Sequence, residues 1–479
     1  MQLPENKTKI VCTLGPACAT QPVMQDMIRA GMNVARLNFA HGDLDSHRQL
    51  IANLRQAALA EGRRVAILAD LPGPKIRLGE LAREPIALEA DAPITLSTQE
   101  FLGDERRISV SFAELPRAVR PGDMIFVNDG YIQLEVQEVR GQEVLCRVAV
   151  AGELRSRQGV NLPGIELGVS IFTDEDRAFL AFALENGVDA VSQSFVERAT
   201  DLHAVREFAA KRGYEPFLIA KIERLGALRH TDEILEAADG IMIARGDLGV
   251  EVPIEELPAI QKQLMRDANV AGKPVITATQ MLESMTNNPR PTRAEATDVA
   301  NAVLDGTDCV MLSGESAIGK YPVQAVAMLS RIAAHIEPLR PAHSARQEIR
   351  ASGTRDRSDL RDIIALGVET TSRRASPAAV MVPTLSGATA RRIARFRLPM
   401  WLVAVSSLES TCQELQFSYG VHVEHVDALP DSWRAFAQDW LNEYEIEGDL
   451  VILTEGPSRR HPEANDRIEI IDLRPENIA

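Results

Sequence analysis

The chain has 479 residues, of which 45% are hydrophobic and 25% are charged, and this length predicts roughly two to four domains. Acidic residues outnumber basic ones by 68 to 52, and the net charge of −16 argues against nucleic-acid binding, which needs a basic surface. The five cysteines are scattered without a CxxC pair, which indicates neither a disulfide framework nor a zinc site. Because no signal core and no long apolar run is visible, we expect a soluble, cytoplasmic protein without a membrane span.

Short apolar, β-branched runs alternate along the chain with stretches of helical periodicity. Eight of these runs predict strands, at Lys9–Leu14, Val34–Phe39, Val65–Asp70, Ala190–Phe195, Phe217–Ile222, Gly240–Arg245, Pro274–Thr279 and Cys309–Ser313. The intervening periodicity predicts helices at Pro22–Ala30, Asp43–Glu61, Asp174–Glu185, Ala199–Lys211, Leu225–Ala238, Ile254–Ala271, Thr292–Leu304 and Pro322–His335. Eight β-then-α units favour a closed parallel (β/α)8 TIM barrel, although an open doubly wound sheet also alternates in this way.

The alternation is interrupted after the third strand by short β-like runs with turn signals such as Pro121-Gly122-Asp123. We therefore expect a small inserted β-barrel domain at residues 71–168, between barrel segments 1–70 and 169–343. A C-terminal α/β domain is predicted at residues 344–479, beginning with a polar linker and containing strands at Ala379–Val382, Trp401–Val405 and Leu450–Leu453.

Reactive side chains recur where the predicted barrel strands end, which is the face on which barrel enzymes build their sites. They are Arg36, Asn38 and His41 after strand two, Asp70 after strand three, Lys221 and Glu223 after strand five, Asp247 after strand six, Thr279 after strand seven and Ser313 after strand eight. A single polar residue at a strand end is usually a helix cap. Lysine and arginine are poor caps, so the repetition favours a functional site.

Glu223 and Asp247 close neighbouring strands and form a candidate Mg²⁺ site, because magnesium commonly takes only one or two carboxylates. The alternative is that each carboxylate pairs with a nearby cation such as Lys221 or Arg245. Lys221 lies two residues before Glu223 on the same strand face, where its ammonium could neutralise a phosphoryl group or an enolate. Backbone N–H groups of the turn at Gly246 could hold a carboxylate or phosphate.

Six segments carry a resemblance to the pyruvate kinase family, and the likeness extends over nearly the whole chain. The segments are Thr8–Ala17, Arg36–Gly42, Lys221–Glu223, Ala244–Glu251, Ala278–Met285 with Pro289–Glu295, and Met311–Ala317. The resemblance implies Mg²⁺-dependent transfer of a phosphoryl group from phosphoenolpyruvate to ADP, giving pyruvate and ATP in glycolysis, with Mn²⁺ as an alternative metal. It also implies a homotetramer and a lid function for the inserted domain.

The resemblance further implies a role for each matched residue. Catalytic roles fall to Arg36, Lys221, Thr279 and Ser313, and phosphoenolpyruvate is expected to contact Arg36, Gly246, Asp247 and Thr279. The metal ligands are Glu223 and Asp247, and the residues facing the nucleotide are Asn38, His41 and Arg77. Thr279 and Ser313 are assigned to the network that protonates enolpyruvate.

One departure from the family pattern concerns K⁺, which many members bind through an Asn, a Ser, an Asp and the residue after the Asp. Asn38 and Asp70 match, but the Ser position is Ala40. Lys75 stands where the family commonly has Glu, so its ammonium could replace the K⁺ charge. We therefore expect activity that does not require K⁺. The alternative is an exposed lysine with no such role.

Two further features concern phosphate recognition. Asp174 and Glu175 occupy the region where family members often offer a lysine to the nucleotide phosphates, which puts that contact in doubt. The C-terminal domain has a loop that resembles the effector-phosphate site of relatives, with Thr384, Ser386, Gly387, Thr389, Arg391 and Arg392. A phosphorylated metabolite is the expected effector, with Arg459 and Arg460 as further candidates, while a simple helix cap is the alternative for the loop.

Two rival functions fit parts of the same pattern. A Mg²⁺-dependent aldolase or lyase of pyruvate-like enolates also carries Glu and Asp after neighbouring barrel strands, but it has no need of a nucleotide lid. A catalytically silent, effector-binding relative is the second rival. The presence of Lys221, Glu223 and Asp247 argues against it, because buried charges without a function are costly to keep.

Overall fold

The computed structural model describes residues 3–340, 360–456 and 466–474, beginning with the first half of a barrel. The strands of this half are β1 (Lys9–Thr13), β2 (Met32–Asn38) and β3 (Ala66–Leu71). Its helices are α1 (Gln21–Ala30) and α2 (Leu44–Glu61), with a 3-10 turn at Pro16–Cys18. Asp43 caps α2 by accepting a hydrogen bond from the Ser46 N–H, which explains why that helix begins where it does.

An inserted domain follows β3. Its elements are β4 (Ile86–Leu88), β5 (Pro93–Ser97), β6 (Arg107–Ser109), α3 (Leu115–Ala118), β7 (Met124–Val127), β8 (Ile132–Arg140), β9 (Glu143–Val150), β10 (Gly152–Leu154) and β11 (Val160–Asn161). They pair as a six-stranded sheet in the order β11-β7-β8-β9-β5-β6 and a two-stranded sheet, β10-β4. Both sheets enclose one apolar core with members from Ile76 to Leu167, separate from the core of the main barrel.

The barrel then resumes and closes. Its second half contains α4 (Asp174–Glu185), β12 (Ala190–Gln193), α5 (Ala199–Ala210), β13 (Phe217–Ile222), α6 (Leu225–Arg229), α7 (Thr231–Ala237), β14 (Gly240–Ala244), α8 (Arg245–Glu251), α9 (Leu257–Ala271), β15 (Val275–Ala278), α10 (Arg293–Asp305), β16 (Cys309–Leu312), α11 (Gly314–Ala317) and α12 (Pro322–Ile336). The 3-10 turns Glu283–Thr286 and Glu337–Leu339 complete it.

The eight parallel strands form a closed cylinder in the order β1-β16-β15-β14-β13-β12-β3-β2, so the TIM-barrel prediction is confirmed. Strands β1, β3, β13 and β14 are buried along their whole length, as expected when helices cover a parallel barrel on the outside. The helix predicted over residues 225–238 is divided at His230 into α6 and α7, and α9 begins at Leu257 rather than at Ile254.

The C-terminal domain is α/β, as predicted. It contains α13 (Leu360–Ala375), β17 (Ala379–Pro383), α14 (Ala388–Ala394), β18 (Trp401–Ser406), α15 (Glu409–Glu414), a 3-10 turn (Leu415–Phe417), β19 (Val421–His425), α16 (Trp433–Glu443), β20 (Leu450–Glu455) and β21 (Arg467–Asp472). Its sheet has the order β19-β18-β17-β20-β21, with β21 antiparallel at the edge. The linker predicted at residues 344–357 lies outside the described residues.

This domain packs against the barrel end at which the strands begin. The Phe417 ring stacks on Phe217 at the start of β13, with 5.5 Å between ring centroids. The Lys9 ammonium, at the start of β1, donates to the Val421 carbonyl at 2.8 Å. The opposite barrel end is therefore left for the inserted domain and the candidate site. In the described parts of the chain, no helix is both long and apolar enough to cross a bilayer.

Candidate active site

Among the reactive residues predicted at the strand ends, Asp247 lines a cleft between the inserted domain and the barrel. A cavity of about 130 Å³ lies there, lined from the barrel side by Phe195, Arg224, Asp247 and Glu251, from the connecting segment by Lys75 and Arg77, and from the inserted domain by Asn128, Asp129 and Asn161 among others. The cleft thus meets both domains, as an active site covered by a lid requires.

Arg36, Asp70 and Lys221 form one buried charge cluster at the ends of β2, β3 and β13. The Arg36 Nε donates to Asp70 Oδ2 at 2.8 Å, and its Nη1 donates to the Thr13 hydroxyl at 2.9 Å. The Lys221 ammonium lies 3.3 Å from Asp70 Oδ1, which also accepts from Ser192 Oγ at 2.6 Å. Both carboxylate oxygens of Asp70 are therefore engaged by side chains of this chain.

The cluster keeps its members charged in spite of their burial. Burial alone would raise the pKa of Asp70, but the charges of Arg36 and Lys221 outweigh it and lower the pKa to about 2. Burial would likewise lower the pKa of Lys221, yet Asp70 and Glu223 hold that pKa above its usual value. At neutral pH the site therefore presents fixed positive charge at the end of β13.

Glu223 and Asp247, the candidate metal ligands, lie close enough for their charges to repel each other. The Glu223 carboxylate accepts from the Lys221 ammonium at 2.8 Å and from the Phe195 N–H at 2.8 Å. Burial, opposed by Lys221 and reinforced by the charge of Asp247, raises the pKa of Glu223. Among the described residues, Asp247 has no hydrogen-bond or ion-pair partner, so its oxygens face the cleft unoccupied by protein donors.

These two carboxylates fit a magnesium ion. Their mutual repulsion is the kind of strain that a divalent cation relieves, and two carboxylates suffice for Mg²⁺ when substrate and water oxygens complete the octahedron. Within the described ranges, no group of three or more His, Cys, Asp or Glu side chains forms a metal-binding cluster. Glu223 also pairs with Lys221, which is the cation that the sequence offered as an alternative partner for this carboxylate.

The end of β15 adopts an uncommon backbone conformation. Thr279 and Gln280 both have positive φ, at 67° and 53°, which costs energy for non-glycine residues and is found preferentially at functional sites. The Gly246 N–H donates to Thr279 Oγ1 at 2.8 Å, and that hydroxyl donates to the Ala278 carbonyl. The segment expected to be a turn at Gly246 is the first turn of α8, and one of its N–H groups is bonded to Thr279.

Arg245 holds this conformation in place. Its Nη1 donates to both carboxylate oxygens of Asp298 on α10, at 2.8 and 2.7 Å, and its Nε donates to the Ala278 carbonyl at 3.1 Å. The guanidinium also donates to the Thr279 carbonyl. Arg245 is therefore paired with Asp298 rather than with the candidate metal ligand Asp247.

Ser313 lies at the end of β16 and is tied to β15 through Glu315. The fully buried Glu315 carboxylate accepts from the Ser313 N–H at 2.7 Å and from the Leu282 N–H at 3.0 Å. The carboxylate thereby fixes the loop that carries Ser313 relative to the loop that carries Thr279. Sequence reasoning assigned Glu315 no role, because a carboxylate that accepts only backbone N–H groups leaves no pattern in the sequence.

Of the three predicted nucleotide residues, Arg77 lines the cleft, Asn38 ends β2, and His41 lies near Lys75 and Arg77. Asn38 Oδ1 accepts from the Ala40 N–H at 3.2 Å, and Arg77 donates to the Arg157 carbonyl at 3.1 Å. Burial, followed by the charges of Lys75, Arg77 and Arg36, lowers the pKa of the largely exposed His41. The charge of the exposed Lys75 therefore contributes to the lowered pKa of His41. Asp70 is bonded to Arg36, Ser192 and Lys221 and not, among the described residues, to Lys75.

Asp174 and Glu175 occupy the exposed first turn of α4, where negative side chains interact favourably with the helix dipole. Their neighbour Asp176 is fully buried, and its Oδ1 accepts from the Gly73 N–H at 3.0 Å. The same carboxylate accepts from the Thr173 hydroxyl at 2.7 Å. Asp176 thus ties α4 to the segment that leads into the inserted domain, a role that sequence reasoning did not find.

The candidate effector loop connects β17 to α14. The Gly387 N–H donates to Thr384 Oγ1 at 2.9 Å, and Ser386 is exposed, but Thr389 is half-buried at the start of α14. Arg391 turns beneath the loop, where it donates to the Ser386 carbonyl at 2.6 Å and lies over the Phe217 ring. Arg459 and Arg460 lie outside the described residues.

The comparisons with known proteins agree with this geometry. The family model described as "Pyruvate kinase, barrel domain" matches residues 5–326, and "Pyruvate kinase, alpha/beta domain" matches residues 362–471. A pyruvate kinase of Thermococcus litoralis is 46% identical over 95% of this chain and 96% of its own length. One from Geobacillus stearothermophilus is 43% identical over 94% of this chain and 78% of its own.

A solved structure extends the likeness to three dimensions. The crystal structure of a pyruvate kinase from Cryptosporidium parvum superposes with a TM-score of 0.91 at 35% identity, over 98% of this chain and 97% of that one. Family models, relatives and structure agree over barrel, inserted domain and C-terminal domain alike. The chain therefore belongs to the pyruvate kinase family of phosphotransferases.

Proposed function

We propose that this chain transfers the phosphoryl group of phosphoenolpyruvate to ADP in a reaction that requires Mg²⁺, and that it works in cytoplasmic glycolysis as a homotetramer. The observation that carries the proposal is the position of Lys221, which lies between Asp70 and Glu223 beside the cleft that Asp247 lines. A fixed ammonium between carboxylates suits phosphoryl transfer, which depends on positioning and charge neutralisation more than on covalent chemistry.

The charge balance of the site explains the need for a divalent cation. The cations Arg36 and Lys221 face the three carboxylates of Asp70, Glu223 and Asp247, which leaves an excess of negative charge. An anionic substrate would be repelled from such a site. Bound at Glu223 and Asp247, Mg²⁺ or Mn²⁺ would supply the missing positive charge and polarise phosphoryl oxygens.

The remaining residues bind and orient the reactants. Arg36 contacts the transferring phosphoryl group, and Lys221 stabilises the charge that develops on it. Thr279, with the backbone at Gly246 and Asp247, binds the substrate carboxylate, which displaces the Thr279–Gly246 hydrogen bond. Thr279 and Ser313 belong to the network that delivers a proton to enolpyruvate.

The inserted domain acts as a lid that brings the nucleotide to the barrel and excludes water from the phosphoryl group. Asn38, His41 and Arg77 face the nucleotide, which is supported by Arg77 in the lining of the cleft and by the nearness of His41 to Lys75 and Arg77. We take the lid as residues 71–168, the barrel as 1–70 and 169–343, and the C-terminal allosteric domain as 344–479.

Activity without K⁺ is supported by the surroundings of Asp70. Arg36, Ser192 and Lys221 already engage both of its oxygens, and Ala40 supplies no hydroxyl. Lys75 adds a permanent positive charge beside His41, on the same side of the cleft. Asn38 and Asp70 are in this view the remains of a K⁺ site, and the ammonium of Lys75 replaces the ion.

A phosphorylated metabolite regulates the enzyme through the loop at Thr384, Ser386, Gly387 and Thr389. The exposed Ser386 and the backbone N–H groups ahead of α14 support phosphate binding. Arg391 donates to the Ser386 carbonyl through one nitrogen of its guanidinium and so supports the loop. Its position beside the loop keeps it among the proposed ligands of the effector phosphate.

The test is pyruvate formation in potassium-free buffer. With phosphoenolpyruvate, ADP and Mg²⁺ together, we expect turnover that added KCl changes by less than about twofold. Addition of KCl should raise the rate of pyruvate formation by the Lys75→Glu variant at least about tenfold, because the introduced carboxylate recreates the need for a cation. Many-fold stimulation of the wild type by KCl would remove the proposal for Lys75, and turnover without ADP would favour a lyase.

A further inference from the structure

Two segments of the chain, here called crossings, join the lid to the barrel. In each crossing, the N–H group of one glycine donates a hydrogen bond to a barrel carboxylate. The outgoing crossing, residues 72–75, contains Gly73 with φ of 64°, and the return crossing, residues 162–168, contains Gly164 with φ of 70°. Glycine adopts this backbone conformation without steric cost, so both positions suit pivots.

The outgoing crossing is held by Asp176, whose carboxylate accepts from the Gly73 N–H at 3.0 Å. Gly73 also packs against Phe195, since a Cβ atom placed on it would come within 2.8 Å of the Phe195 ring. The Phe195 N–H donates in turn to the candidate metal ligand Glu223. The first pivot therefore touches the residue that supports the metal site.

The return crossing is held by two buried side chains of opposite charge, Arg224 and Glu251. The Arg224 Nη2 donates to the Ile165 carbonyl at 2.6 Å, and Glu251 Oε2 accepts from the Gly164 N–H at 3.3 Å. The Arg224 Nε lies 3.6 Å from Glu251 and 3.1 Å from Glu197. Arg224 and Glu251 are 5% and 7% exposed, so their interaction is little screened by solvent.

Both side chains are neighbours of the candidate metal ligands in the chain. Arg224 follows Glu223 directly, and Glu251 lies one helical turn after Asp247 on the short helix α8. A shift of either carboxylate would therefore reach the return crossing over one residue or one helical turn of the chain.

We infer that Arg224 and Glu251 are positioning residues that set the angle of the lid over the metal and nucleotide site, an inference that rests on the proposed function of that site. Neither residue touches the reacting atoms. They act by fixing the return crossing to the same two barrel segments that carry Glu223 and Asp247.

The test uses the full-length chain with spin labels at Leu59→Cys on α2 and Leu102→Cys in the lid, both strongly exposed positions. All five native cysteines are buried, so the introduced thiols are labelled selectively. We expect one narrow distance distribution in the labelled parent and a broadened one after Arg224→Ala. Glu251→Gln, which keeps an acceptor oxygen for Gly164 and removes only the charge facing Arg224, should broaden it as well.

Steady-state kinetics provide the second readout. Each variant should raise KM for ADP about tenfold and keep kcat within about twofold of the wild-type value. This pattern is expected when the ground state and the transition state lose the same amount of binding energy. The matched control is Arg206→Ala at the other barrel end, where Arg206 joins the Ala237 carbonyl to Asp239 in the same manner. It should leave both readouts unchanged.

Unchanged distance distributions in Arg224→Ala and Glu251→Gln, or an equal broadening in the Arg206→Ala control, would overturn the inference. The distance measurement needs no turnover. A wild-type chain that failed to make pyruvate would count against the proposed function and leave the result for the lid intact.

Discussion

At the scale of single residues, Asp70 shows how burial and charge combine in this site. It is 2% exposed and bonded to Arg36, Ser192 and Lys221. The sequence placed Asp70 at a strand end and so beside the site, because strand ends in a barrel meet on one face. It did not reveal the pairing with Arg36 and Lys221, since the register between distant strands is not written in local periodicity.

Asp70→Asn tests the charge cluster through its pH dependence. The pKa of Asp70 falls from its usual 3.8 to about 2 on folding, so its stabilisation is present above about pH 4 and lost as the pH falls through 2. The variant should lose about 3 kcal/mol of unfolding free energy at pH 7, because it leaves Arg36 and Lys221 buried with one partner fewer.

Denaturant unfolding at several pH values measures the effect. The difference between wild type and Asp70→Asn should shrink as the pH falls from about 4 to 2. The exposed control Asp174→Asn should change the unfolding free energy by less than about 1 kcal/mol at every pH. A difference that stays constant down to pH 2 would show that the ionised carboxylate is not the source of the stability.

At the scale of elements, central and edge strands differ in how well the sequence predicts them. The predicted β17, β18 and β20 are the three central strands of the C-terminal sheet, and the unpredicted β19 and β21 are its edges. Edge strands are half-exposed and mix polar with apolar residues, as the sequence VHVEH of β19 does, so the apolar run is missing. The sequence predicts a turn where the structure has the short helix α8, because two glycines and an aspartate weaken the helix propensity of this segment.

The contact between the start of α8, the end of β15 and α10 yields a prediction at this scale. Asp298→Ala removes the partner of Arg245, which holds the left-handed Thr279 at the end of β15. We expect kcat/KM for phosphoenolpyruvate to fall at least about tenfold, because a displacement of Thr279 disturbs the orientation of the substrate.

The control for Asp298→Ala is Asp267→Ala on the outer helix α9, where Gln263 is the one hydrogen-bond donor to Asp267 in the part of the chain that the structure describes. Initial rates over a range of phosphoenolpyruvate concentrations compare the two. Equal kcat/KM in Asp298→Ala and wild type would mean that the strained loop keeps its shape without Arg245.

At the scale of the whole molecule, three domains are arranged in a row, with the inserted domain at one end of the barrel and the C-terminal domain at the other. The repeat of strands and helices predicted the barrel, because periodicity reports which face of each element is buried. It carried no information on which barrel end each added domain covers. That choice depends on contacts between distant residues, such as Phe417 on Phe217 and Arg397 with Asp308.

The most direct test of the account is a Mg²⁺ titration of pyruvate formation in wild type and Glu223→Gln. We expect a saturable metal requirement in the wild type and a loss of at least about a hundredfold in the variant. Glu424→Gln serves as control, because Glu424 is a partly buried carboxylate of the C-terminal domain that accepts from His422, Trp440 and Tyr444. A folded Glu223→Gln enzyme with the wild-type rate and metal dependence would contradict the assignment of the metal to this site.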